Sequence, residues 1–469
     1  MRALPLNSTL LVLATMLVWS LVRGRQATWE RVERILSSRA MLAFLLLGAI
    51  ANIGFSVLAG YINPRDFVQD VVAARQFLKH ATLYPADLPE LGVIELSAPI
   101  AGREELARLP AVRNDLNTLT EPPAFANAHP PVLGMLMAGP VYVLGMRGSF
   151  ALVTLLSMVL LYFSIVAILR ELFPLLPWAE WCAVMGLVFG WYPVGLTLRG
   201  GQPSIVLFAL ITAGWLMLRR NRPWVAGGAI GLAACLHAFP AFLLVYFAIR
   251  SRRAFVSAIV TIAILSGAAA ELTIRHTFQQ WLATAGMVTR QFLARGGNLS
   301  LAGLTAGLWS GMGWAMNAQI LAPAMMLLVA VALGVFLWPW NRRMVPLERL
   351  DVEYSVSVTA MLFASPIFWG RYLPIMLLPL AVLIRNWNEQ RPGRAVPGLL
   401  AALTFVSFPI ATHEWIGGWL TRNLGVASAW LGTAIPSFSV LAILLWLISV
   451  ARPAPESSRD PADGQIGRS

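Results

Sequence analysis

The chain alternates between long apolar runs and short polar segments. Many of the runs are about 17–25 residues long, which is the length a helix needs to cross the hydrocarbon core of a bilayer. The alternating pattern of a membrane β-barrel does not occur. Since every backbone polar group must be hydrogen-bonded inside lipid, the runs are predicted to be helices. They lie near 6–22, 40–61, 149–169, 179–197, 203–218, 223–236, 239–249, 254–275, 318–338, 352–368, 372–385, 396–413 and 427–450.

The arginines form clusters between these runs, and this pattern predicts the topology. Basic loops of membrane proteins stay in the cytoplasm. Placing every cluster on that side predicts about 13 membrane-spanning helices. The clusters are 23–39, Arg219/Arg220/Arg222, Arg250/Arg252/Arg253, Arg342/Arg343 and Arg385 to Arg394.

Composition agrees with an all-α polytopic membrane protein. Hydrophobic residues make up 58% of the 469 residues and charged residues 12%, whereas soluble domains carry about 25% charged residues. The net charge of +13 would suit nucleic acid, but the arginines occur where topology requires them, so we expect no nucleic-acid partner. Residues 1–451 are predicted to form one transmembrane domain, and 452–469 a disordered cytoplasmic tail rich in Pro, Ser, Asp and Gly.

Two large loops are predicted on the outer side. The first, 62–130, continues into a helix at the membrane interface that extends to 146, and the second is 276–317. The first loop holds nine of the 22 acidic residues, while the cytoplasmic loops are too short to build a site. Any chemistry is therefore expected on the extracytoplasmic face.

Asp66 and Asp70 lie just beyond the second apolar run, in YINPRDFVQD. Their spacing puts both carboxylates on one face of a helix, which Asn63 and Pro64 would start. Two interpretations of Asp66 stay open: it interacts with the helix dipole, or it is a catalytic base. Asp70 is expected to be a solvated charge or to pair with Arg65, Arg75 or Lys79.

Other polar residues are predicted to reach the same membrane face from separate helices. Gly200 and Gly201 permit close backbone approach, and the flanking Arg199 is an arginine where topology predicts none. His237 is an ionisable group at the tip of a short hairpin and is a functional candidate for that reason. Together they would hold a polar group attached to a lipid, with the cations on a phosphate. The candidates are Arg199, Gln202, His237, Arg371 and, in the loops, His129 and Asn298.

Six segments of the chain resemble one family in order and spacing, over roughly 66–385. The chain resembles the polyprenol-phosphate-sugar-dependent glycosyltransferases of family 87 (also called DUF2029), which belong to the GT-C superfamily and include α-1,2-mannosyltransferases. The segments are DFVQDVVAARQFLKHATLYP, HPPVLGMLMAGPVYVLG, GGQPSIVLFAL, WVAGGAIGLAACLHAFPAFLLVYF, NLSLAGL and SPIFWGRYLPIMLLPL.

The resemblance implies a GT-C-type fold with a large first extracytoplasmic loop and an inverting transfer of a sugar from polyprenyl phosphate. It implies that Asp66 is the catalytic base, since the family has an Asp at this place. Tyr84, the last residue but one of the first matching segment, is a further substrate-binding candidate. The chain departs from the family at His237, where Lys is common, and at Gly370 and Arg371, where His often occurs.

These features predict an integral enzyme of the bacterial inner (plasma) membrane that transfers a hexose, with mannose preferred. Its expected partners are a polyprenyl-phosphate sugar donor, a glycan or glycolipid acceptor and the lipid bilayer. No cofactor is expected, and no metal, because the first loop has no DxD pair. The alternative is a transporter or flippase of lipid-linked sugars, although the two similar halves usual in transporters are not visible.

Overall fold

In a computed structural model, all regular structure of the described residues is helical. These residues are 38–62, 66–80, 83–84, 127–294, 297–311, 317–338, 347–390, 398, 402–403 and 426–450. The predicted span 6–22, nearly all of 396–413, most of the loop 62–130 and the tail 452–469 lie outside them.

The first half of the chain contains the helices that carry most of the candidate residues. They are α1 (Arg39–Ile62), α2 (Phe67–Leu78), α3 (Pro131–Leu172), α4 (Trp178–Gly190), α5 (Tyr192–Gly200), α6 (Ser204–Arg219), α7 (Pro223–Leu236), a 3-10 helix Phe239–Phe242 and α8 (Leu243–Arg250).

The second half completes the bundle around a buried central helix. Its elements are α9 (Arg252–Leu272), α10 (Thr277–Phe292), α11 (Leu301–Gly311), α12 (Ala318–Leu337), α13 (Leu347–Ala364), a 3-10 helix Gly370–Met376, α14 (Leu377–Gln390) and α15 (Val426–Val450).

The protein is an integral membrane protein, but the expected 13 spans are not found among the described residues. Four helices there are long and apolar enough to cross a bilayer, namely α1, α3, α9 and α12. The pair α4 and α5, bent by 51°, makes five if it is one span. Several predicted spans are shorter apolar helices, including α6 and α7, because proline and charge cut the runs into pieces.

Helix α3 contains a break at Gly145, which has a positive φ of 67°. Glycine adopts this conformation at little cost because it lacks a Cβ atom. The break falls where the sequence predicts that an interfacial helix, ending at 146, gives way to a span that begins at 149. The position of the first segment in the membrane interface stays a prediction.

The helix predicted at 352–368 is shifted towards the N-terminus. Helix α13 begins at Leu347 and ends at Ala364, because Pro366 disfavours a helical conformation of the residue before it. From Asp351 to Ala364 every residue of this helix is buried. The segment 365–369 then crosses the bundle without regular structure and leads into the 3-10 helix.

Two buried carboxylates connect the first turns of α13 to its neighbours. Asp351 accepts hydrogen bonds from Trp215, from Arg219 and from Arg385. Glu353 accepts a hydrogen bond of 2.9 Å from Arg250. Four helices are therefore joined at the end of α13 that lies opposite Ala364, about 20 Å away along the helix axis.

Candidate active site

A cavity of about 350 Å³ lies beyond the C-terminal end of α13. Its lining includes polar and apolar side chains, two sets that we call the polar wall and the apolar wall. The polar wall contains Asp66, Gln69, His129, Gln202, His237, Arg371 and Tyr372. The apolar wall contains Phe239, Phe242, Val288, Phe292, Met326, Met361, Ile367 and Trp369.

Asp66 and Arg371 form an ion pair on the polar wall, although 305 positions separate them in the sequence. Asp66 is the N-cap residue of α2, but its side chain makes no capping hydrogen bond. It bonds the Arg371 Nη1 instead. The Arg371 Nε is buried and has no partner among the described residues, so this guanidinium retains a donor for a ligand.

The turn between α5 and α6 brings these two residues together. Thr197 Oγ1 donates a 2.7 Å hydrogen bond to the backbone carbonyl of Arg371. A Cβ atom on Gly200 would lie 3.2 Å from the Asp66 Oδ2, and one on Gly201 would lie 2.9 Å from the Phe67 side chain. Gly201 also has a φ of +60°. Glycine is required here for both close approach and backbone conformation.

Gln202 follows this turn directly. Its backbone N–H donates to the Thr197 carbonyl at 3.2 Å, which fixes the residue in the cavity wall. The side chain is only 2% exposed, and neither its amide oxygen nor its amide nitrogen has a partner among the described residues. An unpaired buried amide costs about 1–3 kcal/mol, so Gln202 calls for a ligand or water that completes its hydrogen bonds.

His129 lies on the same wall, just before the prolines that start α3. Its Nδ1 lies 2.7 Å from an oxygen of Asp70, and the Tyr84 hydroxyl donates a 2.7 Å hydrogen bond to its backbone carbonyl. Burial and the nearby Asp70 raise the pKa of Tyr84 above its usual range, so the hydroxyl stays a donor. Tyr84 is not among the residues that line the cavity, and it holds the His129 backbone from behind the site.

Asp70 is not the solvated charge that was one of its two expected roles. The carboxylate is buried and pairs with His129. The sequence signal for Asp70 was its spacing from Asp66, which puts both carboxylates on one face of α2. The partner could not be read from the sequence because it lies 59 positions away.

His237 ends α7 and contacts several aromatic groups of the site. Its Nε2 lies 3.2 Å from the Tyr372 hydroxyl, and the Arg371 guanidinium carbon lies 6.0 Å from the centroid of the Tyr372 ring. The His237 ring packs edge-on against the ring of His129 at a centroid distance of 5.2 Å. His237 thereby connects the Arg371 side of the wall to the His129 side. Tyr372 is not among the candidates taken from the sequence, because an aromatic residue at an outer turn is also typical of the membrane interface.

Helix α10 supplies much of the apolar wall from one face. Trp281, Ala285, Val288, Thr289 and Phe292 line the cavity, and their spacing places them on one side of a helix. Trp281 Nε1 also donates a 3.0 Å hydrogen bond to the carbonyl of Ala128, which attaches α10 to the polar wall.

Asn298 lies outside the cavity, next to one of the segments that line it. Its amide nitrogen donates to the carbonyls of Leu293 and Pro366, at 3.1 and 3.0 Å. Its oxygen accepts from the backbone N–H groups of Ser300 and Phe368, at 3.2 and 2.9 Å. One side chain thus fixes the segment 365–368, of which Ser365, Pro366 and Ile367 line the cavity.

We expect Asn298→Ala to lower the free energy of unfolding by at least about 2 kcal/mol, because several buried backbone groups lose their partners. Thermal unfolding of the purified protein would measure this. The control is Asn317→Ala, which removes a single exposed helix cap at Gln319. Equal effects of the two substitutions would contradict the structural role of Asn298.

The structure assembles most of the predicted site but does not bring Arg199 to it. Arg199 is exposed and does not line the cavity, because it lies on the outer side of α5. Within the described ranges no three His, Cys, Asp or Glu side chains come together as metal ligands. Metal independence stays a prediction.

A cavity lined by carboxylate, amide, imidazole and guanidinium groups together with apolar side chains fits a substrate that is part polar and part lipid. A match to a protein family decides the class of enzyme. The model of glycosyltransferase family 87 matches residues 127–366, which is just over half of the chain. The chain belongs to glycosyltransferase family 87. It is therefore a membrane-bound glycosyltransferase, with a donor and an acceptor as substrates.

The part that matches family 87 contains His129, Gln202, His237 and Asn298. Asp66 precedes it and Arg371 follows it, so the ion pair joins two segments from outside the match. No curated protein and no solved structure matches the chain significantly.

Proposed function

We propose that this family 87 enzyme transfers a hexose, with mannose preferred, from a polyprenyl-phosphate donor to a glycan or glycolipid acceptor. Transfer takes place on the extracytoplasmic face of the bacterial plasma membrane, in a GT-C-type fold, and inverts the configuration of the sugar. The observation that carries the proposal is the mixed lining of one cavity, which holds the Asp66–Arg371 ion pair together with many apolar side chains.

The two walls match the two halves of such a donor. The apolar wall, which includes Phe242, Val288 and Met326, suits the first isoprene units of the lipid. Arg371 suits the phosphate, because a guanidinium presents several donors in a planar fork. Its Nη1 bonds Asp66 while its buried Nε stays available. One arginine can therefore contact base and phosphate together.

In the proposed reaction Asp66 removes the proton of an acceptor hydroxyl. The hydroxyl oxygen forms the new bond to the anomeric carbon. The bond from that carbon to the phosphate oxygen breaks, and its electron pair goes to the departing polyprenyl phosphate. Arg371 stabilises the charge that builds on this phosphate. The Asp66 side chain is 38% exposed, so an acceptor that enters from outside can reach it.

The decisive experiment is a transfer assay with purified full-length protein in vesicles. Labelled polyprenyl-phosphate mannose, glucose and galactose are tested as donors against a panel of acceptors, and products are identified by mass spectrometry and linkage analysis. Transfer with inversion supports the proposal. Donors that bind and move across the vesicle membrane, without being consumed by any acceptor, would favour a transporter instead. Activity only with sugar nucleotides would refute the donor class.

Arg371→Gln is expected to weaken donor binding about 10–100-fold, because a hydrogen bond to a charged group contributes about 1.5–3 kcal/mol. Arg371→Lys keeps the charge but loses the fork and should fall in between. Binding of polyprenyl-phosphate mannose is measured by competition with a labelled donor. The matched control is Arg199→Gln, an exposed arginine outside the cavity. A control that weakens binding as much as Arg371→Gln would contradict the assignment.

A further inference from the structure

His129, on the polar wall, forms a second pair with Asp70, which lies behind it, and the proposed transfer step does not use this pair. Asp70 and His129 lie 2.7 Å apart, and each side chain is only 4% exposed. An ionised carboxylate has no proton to give, so the Nδ1–H of His129 is the donor. That bond fixes the tautomer and orientation of the ring. The other ring nitrogen, Nε2, then points away from Asp70 and has no partner among the described residues.

Three contacts hold the ring in this orientation. Asp70 bonds one edge, the His237 ring packs against it, and Tyr84 holds the backbone. His237 is itself fixed, because its Nε2 pairs with the Tyr372 hydroxyl. A wall built in this way is preorganised, since its side chains do not need to reorient when a ligand binds.

The chemistry of the unpaired groups distinguishes between ligands. Phosphate oxygens only accept hydrogen bonds, and Arg371 supplies only donors, so these two match. In its neutral form His129 offers an accepting Nε2, while Gln202 offers one acceptor and two donors. A sugar hydroxyl both donates and accepts. The His129 and Gln202 side of the wall therefore fits hydroxyl groups better than it fits phosphate.

The pairs Asp66–Arg371 and Asp70–His129 differ in how exposed their carboxylates are, and this indicates different functions. The Asp66 side chain is 38% exposed, compared with 4% for Asp70 and His129. An incoming acceptor can reach Asp66, whereas His129 can contact only a group that already fills the cavity. In a lipid-linked donor that group is the sugar, which lies next to the phosphate.

We propose that Asp70 is a positioning residue, which holds His129 so that its Nε2 accepts a hydrogen bond from one hydroxyl of the donor sugar, while Gln202 pairs with a neighbouring hydroxyl. This inference rests on the proposed function, since it takes the ligand to be a lipid-linked sugar. It makes this wall the part of the site that determines which sugar binds.

The test measures binding and does not depend on turnover. The probes are the tightest-binding polyprenyl-phosphate hexose of the panel, its single deoxy and deoxyfluoro analogues, and polyprenyl phosphate without sugar. They are compared on wild-type protein, Asp70→Asn, Asp70→Glu, His129→Gln and Gln202→Met. The matched control is His276→Gln, an exposed histidine whose ring bonds Gln279. Thermal unfolding identifies variants that do not fold.

We expect one hydroxyl position at which both analogues bind wild-type protein about 10–100-fold more weakly, since neither hydrogen nor fluorine can donate to Nε2. In His129→Gln and Asp70→Asn the parent donor should already be weaker, and the same analogue should lose little more. Asp70→Glu should partly restore the discrimination. In Gln202→Met the discrimination should be lost at a different hydroxyl position. Binding of polyprenyl phosphate without sugar should not change in any variant.

Two results would overturn the inference. In the first, each analogue would lose as much affinity on Asp70→Asn as it does on wild-type protein, and the Asp70–His129 pair would then be merely structural. The His129 variant could weaken polyprenyl phosphate with and without sugar alike, which would make His129 a phosphate ligand. If Asp70→Asn does not fold, His129→Gln and Gln202→Met decide the matter. A protein that binds and discriminates the sugars but never transfers them refutes the proposed transfer and leaves this inference standing.

Discussion

Asp66→Asn is expected to lower the rate of sugar transfer about 10²–10⁴-fold, which is the usual contribution of a general base. Asparagine has the shape of aspartate but cannot take a proton from the acceptor. Donor affinity should stay the same or rise, because Arg371 loses a competing negative charge. The measurement is single-turnover transfer at saturating donor, together with donor binding by competition.

A loss of donor binding in parallel with rate would contradict the role of Asp66 as base, since the residue would then be needed only to position Arg371. Unchanged transfer would refute it outright. Glu271→Gln is the matched control, because Glu271 is an exposed acidic residue at the end of α9, away from the cavity. Asp66→Glu tests the geometry: it keeps the charge but moves the carboxylate by one methylene.

Asp351→Asn is expected to lower the free energy of unfolding by about 3–5 kcal/mol, which is typical when one partner of a buried ion pair is removed. Arg219 and Arg385 would lose the buried carboxylate that they share and keep only more exposed carboxylate partners, among them Glu171 and Glu389. Thermal or denaturant unfolding in detergent measures the effect. Glu171→Gln is the comparison within the same network, since Glu171 is a less buried carboxylate that pairs with Arg219 and Arg220, and its loss should cost less than about 1 kcal/mol.

The same variant separates stability from catalysis. Asp351 lies about 20 Å from Ala364 along α13, so protein that stays folded should bind the donor with normal affinity. Equal destabilisation by Asp351→Asn and Glu171→Gln would show that burial adds nothing to this network. Loss of donor affinity in folded Asp351→Asn would instead indicate that the two ends of α13 are coupled.

Local sequence pattern located many of the helices well. The apolar run 223–236 matches α7, and 318–338 matches α12 within a residue. These agree because proline, charge and capping residues act over a few positions. The number of membrane spans could not be predicted in this way, because a run such as 352–368 can also be apolar when it is buried inside the protein. Helix α13 is buried inside the bundle, and hydropathy does not distinguish a lipid-facing surface from a protein-facing one.

The class of protein, the family and the residue types available for chemistry can be read from the amino-acid sequence, because apolar length, charge spacing and short motifs are local properties. Which of these residues meet depends on the tertiary structure. In the folded protein Asp66 contacts Arg371 and Asp70 pairs with His129. Arg199 lies outside the cavity, and Asn298 has a structural role. Such contacts join side chains tens to hundreds of positions apart, and they depend on how the helices pack.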